Sequence, residues 1–313
     1  MSADVSVIIA AYNVEAYIER AIRSALDQQD VTVEVIVVND ASTDNTAAIV
    51  SSIGDARVKH IDLATNGGPS VARNAGIDAA TAPWIAILDG DDAFLPDRLM
   101  RALTRAKAVR ADIVVDNLTV HREADGAEYP MYQPAWFSRI GMLDLAAFIT
   151  GNSSFLGGIS LGYLKPLIST PFIRSHKLAY DPAIRIGEDY ILLCDALAEG
   201  ARCVVEPTAG YLYSVRKGSI SHRLSLEDVK RISDGDKRFL ARHMLSTTAV
   251  RAQKVRERGL KEVNAFIQLV EAIKRRDMSA ALRIIAKHPS VPLHLWEAVW
   301  IRAKRLFKRN RQS

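Results

Sequence analysis

Residues 84–100, WIAILDGDDAFLPDRLM, join a short apolar run to a cluster of carboxylates. The run WIAIL has the composition of a buried strand, and Asp89, Asp91 and Asp92 follow it directly. Like charges this close repel one another and lose hydration when they are buried, so they need a partner. Two interpretations are open at this point: a solvated Asp-Gly turn, or a site for a divalent cation bound together with a phosphorylated ligand.

Apolar runs alternate with helical patterns on both sides of this stretch. Strands are predicted at 5–12, 33–40, 57–63, 84–88 and 111–120, and helices at 15–28, 68–80 and 96–110. This alternation predicts an α/β fold with a Rossmann-like, mostly parallel sheet flanked by helices. Ligands of such sheets bind beyond the carboxyl ends of the strands, where Tyr12, Asp40 and the three aspartates lie. We therefore expect these side chains to outline one pocket.

The second half of the chain is less regular. Residues 124–167 are rich in Gly, Pro and aromatic side chains, which predicts a loop-rich region lining a second subsite. A helix around 187–200 and strands at 201–206 and 210–216 should follow. From about residue 226 the pattern is helical and basic to the C-terminus.

The net charge of +5 is concentrated near the C-terminus, where Lys and Arg alternate with Trp296, Trp300 and Phe307. This pattern favours an amphipathic helix on an anionic membrane surface, and a solvated helix packed on the rest of the protein is the alternative. Nucleic acid is not an expected partner, because no recognised binding module accompanies the charge. Without a signal-peptide pattern or an apolar run of the ~20 residues that span a bilayer, we predict a cytoplasmic protein, peripheral on the inner face of the cell membrane.

The common nucleotide-binding motifs do not match. The first strand is not followed by GxGxxG, and the sequence contains no GxxxxGK[ST] loop. The DGDD cluster is not an EF-hand, because the run of oxygen ligands and the closing Glu are missing. A sheet with acidic strand ends and without a glycine-rich phosphate loop favours a metal ion as the group that carries the phosphate charge.

Five ordered motifs make the prediction more specific: VSVIIAAYN (5–13), VIVVNDASTDNT (35–46), NGGPSVARNAGI (66–77), ILDGDDAFLPDRL (87–99) and GEDY (187–190). In order and approximate spacing the chain resembles the family 2 glycosyltransferases, which have the GT-A fold, over about residues 5–225. It is similar to the non-processive bacterial enzymes that build exopolysaccharides and cell-surface polysaccharides. The Q-x-x-R-W motif of processive synthases is missing, which favours transfer of single sugars.

The resemblance implies a role for individual side chains, with Mn²⁺ or Mg²⁺ as the cofactor. The residues implied to bind the nucleotide-sugar are Ala10, Tyr12, Asp40, Arg73, Asp89, Asp91, Arg216 and Ser219. Asp92 is the implied metal ligand, and Asp91 and His222 are further candidate ligands. Asp189 is the implied general base, and Glu188 lies beside it on the acceptor side.

The expected function is inverting transfer of a sugar from a nucleotide-sugar, UDP-linked by resemblance, to a saccharide acceptor on a polyprenyl diphosphate. Residues 1–225 would form the GT-A catalytic domain, and residues 226–313 a basic helical extension that associates with the membrane. A nucleotidyltransferase with a similar sheet is one alternative, although it would need a glycine-rich N-terminal loop that IIAAYNVEAY does not supply. A non-catalytic partner that binds nucleotide-sugars is the other.

Overall fold

The computed structural model describes residues 2–153, 160–216 and 224–293. Its strands are β1 Val5–Ala11, β2 Val33–Asn39, β3 Val58–Asp62, β4 Trp84–Asp89, β5 Ala93–Phe94, β6 Ile113–Arg122, β7 Ala127–Pro130, β8 Met142–Leu143, β9 Leu167–Ser169 and β10 Cys203–Val215. Its helices are α1 Ile18–Leu26, α2 Thr46–Ser52, α3 Pro69–Ala79, α4 Arg98–Val109, α5 Pro134–Phe137, α6 Leu145–Thr150, α7 Thr170–Ser175, α8 Glu188–Ala198, α9 Leu226–Arg242, α10 Thr247–Lys274 and α11 Met278–Lys287.

One central sheet carries the fold, in the order β3-β2-β1-β4-β9-β6-β10-β5, with β7 paired to β6 and β8 paired to β10. The long strands β3, β2, β1 and β4 pair in parallel, as do β6 and β10. The short strand β9 lies antiparallel between β4 and β6, so all the long strands share one direction. Apolar residues of β1 and β2 are buried on both faces, as expected of strands covered by helices. The predicted α/β fold with a mostly parallel sheet is confirmed.

Strand β10 corrects one prediction. Instead of two strands at 201–206 and 210–216, a single strand pairs with β6 through register shifts between Glu206 and Ala209 and between Ala209 and Tyr211. The Pro and Gly that resemble a turn in the sequence lie at these irregularities. A Cβ atom on Gly210 would lie 2.5 Å from Asp116 Oδ2, so only glycine fits here.

The segment 124–167 contains only short elements in its described part: β7, α5, β8, α6 and a 3₁₀ turn at Leu161–Tyr163. The strand β9, which closes the gap between β4 and β6, begins at its end. This segment therefore contributes an irregular wall next to the sheet rather than another βα unit.

Helices α9 and α10 pack on the same core as the sheet, through Phe239 of α9 and Ala252 of α10. Helix α9 begins at the predicted domain boundary with a capping box, in which Ser225 and Asp228 bond each other's backbone amides. Helix α11 packs on the far end of α10 in a small separate cluster. Within the described ranges, no helix has both the length and the apolar composition that a membrane crossing requires. The predicted tail helix around Trp296, Trp300 and Phe307 lies outside the described residues.

Candidate active site

A cleft of ≈ 900 Å³ opens at the carboxyl ends of the parallel strands. The strand register brings these ends together, because Ala10 of β1 pairs with Asp89 of β4 and Ala11 pairs with Asn39 of β2. The predicted site residues that line the cleft are Ala10, Tyr12, Asp40, Arg73, Asp89, Asp91, Asp92, Glu188, Asp189 and Arg216. The other two, Ser219 and His222, lie outside the described residues. The expectation that polar strand ends outline one pocket is confirmed.

One end of the cleft is formed by Asp40 and the turn before α3. The buried carboxylate of Asp40 accepts hydrogen bonds from the backbone amides of Gly67, at 2.7 Å, and Gly68, at 2.8 Å. These bonds fix its orientation and leave one lone pair on each oxygen. Tyr12 lies exposed at the end of β1 and lines the same cleft. The base-binding role of both side chains stays a prediction.

The carboxylate of Asp92 is turned away from solvent. The residue is 1% exposed, and its two carboxylate oxygens accept hydrogen bonds from Tyr211 Oη and the Ser214 amide, each at 2.7 Å. Burial, together with the charges of Asp89 and Asp91, raises the pKa of Asp92 well above its usual range. Asp92 therefore holds the turn after β4 against β10.

Of the neighbours Asp91 and Asp92, Asp91 has the more accessible carboxylate, with 22% of its side chain exposed. One carboxylate oxygen accepts a hydrogen bond from Arg216 Nε at 2.8 Å, and its backbone carbonyl accepts one from Arg20. Burial and the nearby charge of Asp89 raise the pKa of Asp91, and Arg216 partly opposes this shift.

Five charged side chains form an ionic cluster in the lining of the cleft. We refer to Arg73, Lys165, Asp89, Glu188 and Asp189 as the carboxylate cluster. Arg73 donates to Asp89 and to Glu188, each at 2.6 Å, and lies 3.3 Å from Asp189. The Lys165 ammonium lies 2.8 Å from Asp89 and 2.5 Å from Asp189. The cluster thus connects the end of β4 to the first turn of α8 through two cations.

The cations decide which protonation states are favoured in the carboxylate cluster. Burial alone would raise the pKa of Asp89, but Lys165 and Arg73 outweigh it and lower that pKa. Burial alone would lower the pKa of Lys165, and the charges of Asp189 and Asp89 raise it instead. The pKa of Glu188 is raised, because the effect of burial on this pKa exceeds the opposing effect of the Arg73 charge.

Three residues of the site were not identified from the sequence. Lys165 precedes β9 at the end of the irregular segment, and no local pattern marks it as part of the site. The Tyr180 hydroxyl donates to Asp189 Oδ1 at 3.0 Å, from a loop whose spacing to Asp189 carries no signal. Arg185 is exposed on the same loop and lines the cleft. Arg73, expected near the nucleotide, lines the cleft and is buried among carboxylates, and its role toward the nucleotide stays a prediction.

The described residues contain no group of three or more His, Cys, Asp or Glu side chains placed to enclose a metal ion. One carboxylate can nevertheless suffice for Mg²⁺ or Mn²⁺ when phosphate oxygens and water complete the shell. Asp91 fits this role, because its hard oxygen donor faces the cleft and a cation there would offset the repulsion from Asp89.

Comparison with known sequences gives a consistent result. Residues 6–170 match the family model described as Glycosyl transferase family 2. The chain is 46% identical over 306 residues to the succinoglycan biosynthesis protein ExoO of Rhizobium meliloti, covering 98% of this chain and 88% of that protein. It is 32% identical over 291 residues to ExoU of the same organism, covering 92% and 84%.

Solved structures resemble the chain in fold. TarS of S. aureus, in complex with UDP-GlcNAc, superposes with a TM-score of 0.62 at 19% identity, covering 92% of each chain. The mannosyltransferase PcManGT from Pyrobaculum calidifontis, in complex with GDP-Man and Mn²⁺, has a TM-score of 0.62 at 18% identity, covering all of this chain and 83% of that one. At these identities the likeness concerns the fold alone.

Proposed function

Because the chain belongs to glycosyl transferase family 2 and has the GT-A fold of a glycosyltransferase, we propose that it moves one sugar from a UDP-sugar to a saccharide acceptor with inversion at the anomeric carbon. The family and the fold agree with the sequence motifs and are confirmed. The reaction belongs to exopolysaccharide biosynthesis in this proposal, since two relatives matched over most of the chain are named succinoglycan biosynthesis proteins. The acceptor would be a growing saccharide on a polyprenyl diphosphate.

The observation that carries the proposal is that Asp91 and the carboxylate cluster line one cleft at the strand ends. The nucleoside would lie at the end formed by Asp40 and Tyr12, and the sugar would lie toward Asp189. TarS and PcManGT, which share the fold, were solved with a UDP-sugar and a GDP-sugar, and this supports a nucleotide-sugar as the donor.

Asp91 is the metal ligand that the geometry favours over Asp92. Asp92 is 1% exposed and both its oxygens accept hydrogen bonds from β10, whereas the side chain of Asp91 is 22% exposed and lines the cleft. A divalent cation bound there would stabilise the charge that develops on the departing diphosphate. Asp92 would act through the turn, by holding Asp91 in position.

Asp189 is the proposed general base. Tyr180 and Lys165 each donate to one of its oxygens, which fixes the direction of the carboxylate. Removal of the acceptor proton as the hydroxyl attacks the anomeric carbon is typically worth about 10²–10⁴ in rate. Direct displacement of the diphosphate inverts that carbon. Glu188, next to Asp189 in the first turn of α8, would orient the acceptor.

The membrane surface enters the proposal through residues 294–313, which lie outside the described part of the chain. Their basic and aromatic residues would hold the enzyme near a lipid-linked acceptor by attraction to anionic headgroups, at roughly 1 kcal/mol per basic residue. Peripheral attachment to the inner face of the cell membrane would follow.

The test is UDP release from a panel of UDP-sugars with Mn²⁺, with and without lipid-linked saccharide acceptors. Asp189→Asn should lose transfer by about 10²-fold or more while it binds UDP as the wild type does. Asp195→Asn is the matched control, because Asp195 is equally buried on the same helix and pairs with Arg242 outside the cleft. If the wild type binds UDP-sugars but forms no free UDP with any acceptor, the protein is a non-catalytic partner. If Asp189→Asn keeps full activity, the assignment of Asp189 as the general base is wrong.

A further inference from the structure

Arg185 lies over the end of the cleft that Asp40 forms. It belongs to the loop before α8, its side chain is exposed, and it lines the cleft. A methyl group placed on Gly68 would lie 3.7 Å from Arg185 Nε, and the Gly68 amide is one of the two donors to Asp40. The guanidinium is therefore next to the turn that holds the Asp40 carboxylate.

The other cations that line the cleft are already engaged by carboxylates. Arg73 and Lys165 belong to the carboxylate cluster, and Arg216 pairs with Asp91 at 2.8 Å. The remaining pairs are Arg231 with Glu227, at 2.5 Å, and Arg256 with Asp236, at 2.8 Å. Within the described ranges, Arg185 is the cleft-lining cation with neither an ion pair nor a hydrogen bond.

The backbone around Arg185 is held firmly, although its side chain is not. The carbonyl of the preceding Ile184 accepts a hydrogen bond from Ser70 Oγ at 2.9 Å, and Ile184 itself is buried. Four residues earlier along the same loop, Tyr180 exchanges two hydrogen bonds with Asn74 of α3. The loop therefore presents the Arg185 guanidinium, which has no ion pair among the described residues, to a cleft whose lining is rich in carboxylates.

We propose that Arg185 binds the phosphate groups of the nucleotide-sugar donor. The inference rests on the proposed function and adds a donor-binding residue that the sequence motifs do not contain. A guanidinium can form two parallel hydrogen bonds to phosphate oxygens, and its charge offsets part of the repulsion between the diphosphate and the acidic lining of the cleft. Arg185 contributes to affinity for the donor and takes no part in proton transfer.

The experiment is calorimetric titration of UDP, UMP and uridine, each with Mn²⁺, into the wild type, Arg185→Ala, Arg185→Lys and Arg139→Ala. Arg139 is an exposed arginine outside the cleft and serves as the matched control. Arg185→Ala should weaken UDP binding about tenfold or more, and Arg185→Lys should have an intermediate affinity for UDP. Uridine should lose much less affinity than UDP, because it carries no phosphate for the guanidinium to bind. In turnover assays, KM for the donor should rise while kcat stays within about threefold.

Three results would overturn the inference: Arg185→Ala binding UDP as tightly as the wild type, an equal loss for uridine, or a lower kcat at unchanged KM. Thermal melting of each variant checks that the fold is intact. If the wild type itself binds no nucleotide, the proposed function fails independently of Arg185. If the wild type binds UDP and Arg185→Ala binds it equally well, only the role of Arg185 fails.

Discussion

The Lys165→Met substitution removes the ammonium that joins Asp89 to Asp189 and keeps an unbranched side chain of similar length. In the wild type, the carboxylate cluster contains two cations and three carboxylates, so its net charge is minus one. Without Lys165 the net charge becomes minus two, and Arg73 is the remaining cation that faces the three acids, of which Glu188 and Asp189 are buried. The substitution therefore tests whether the cluster is held together by balanced charge.

The expected loss of stability follows from the burial of both ends of this bridge. Lys165 is 6% exposed and Asp189 is 8% exposed. Removing one partner of a buried ion pair costs about 3–5 kcal/mol, because the other charge stays desolvated. The loss should shrink as the pH falls, since burial raises the pKa of Asp89 once Lys165 no longer opposes it, and protonation of Asp89 removes part of the uncompensated charge. Adding Asp89→Asn should also recover part of the stability.

Urea unfolding followed by circular dichroism, at pH 7 and at pH 4–5, measures both effects. Lys237→Met is the matched control, because Lys237 also pairs with an aspartate at 2.8 Å but is 72% exposed, and its loss should change the unfolding free energy little. A Lys165→Met protein within about 1 kcal/mol of the wild type at pH 7, or a deficit that widens on acidification, would refute the charge-balance reasoning.

Two other substitutions test the packing and charge around the sheet. Glu34 is buried, which would raise its pKa, but hydrogen bonds from Lys59, Ser6 and Thr81 lower that pKa from 4.5 to about 2. The stabilisation that ionised Glu34 contributes is therefore complete above pH 4.5 and is lost as the pH falls toward 2. In urea unfolding, the free energy of unfolding of Glu34→Gln should fall less over this pH range than that of the wild type. The difference should be about 1–2 kcal/mol after allowance for solvent at Lys59. Gly76→Ala should cost about 1–3 kcal/mol in the same assay, because its Cβ would lie 2.4 Å from Ile8 Cγ2. Since alanine otherwise favours a helix, an unchanged or higher stability would mean that α3 does not approach β1 so closely.

Strand ends were predictable from the sequence because one rule covers them. Parallel strands end at the same edge of a sheet, so a polar residue directly after each apolar run belongs to one pocket. Tyr12, Asp40, Asp89 and Asp91 obey this rule and line the cleft. The alternation of strands and helices likewise sufficed for the α/β fold.

The contacts made by those side chains were not predictable, because they depend on distant parts of the chain. Asp92 and Asp91 are neighbours in sequence, yet Tyr211 and Ser214 of β10 bury the first and leave the second facing the cleft. Nothing in DGDD distinguishes them. Lys165 joins the site only because β9 inserts between β4 and β6, and a three-residue strand has too few positions to show a period.

The central claim about this cleft is that Asp91 binds the metal ion and Asp92 does not, and a measurement of metal affinity tests it most directly. Electron paramagnetic resonance should measure Mn²⁺ binding in the presence of UDP for the wild type, Asp91→Asn and Asp92→Asn. We expect Asp91→Asn to bind Mn²⁺ at least about tenfold more weakly, because the cleft loses its accessible carboxylate ligand. Asp92→Asn should stay within about threefold of the wild type, since an amide still accepts the Ser214 hydrogen bond. Full Mn²⁺ affinity in Asp91→Asn, or its loss in Asp92→Asn alone, would contradict the account.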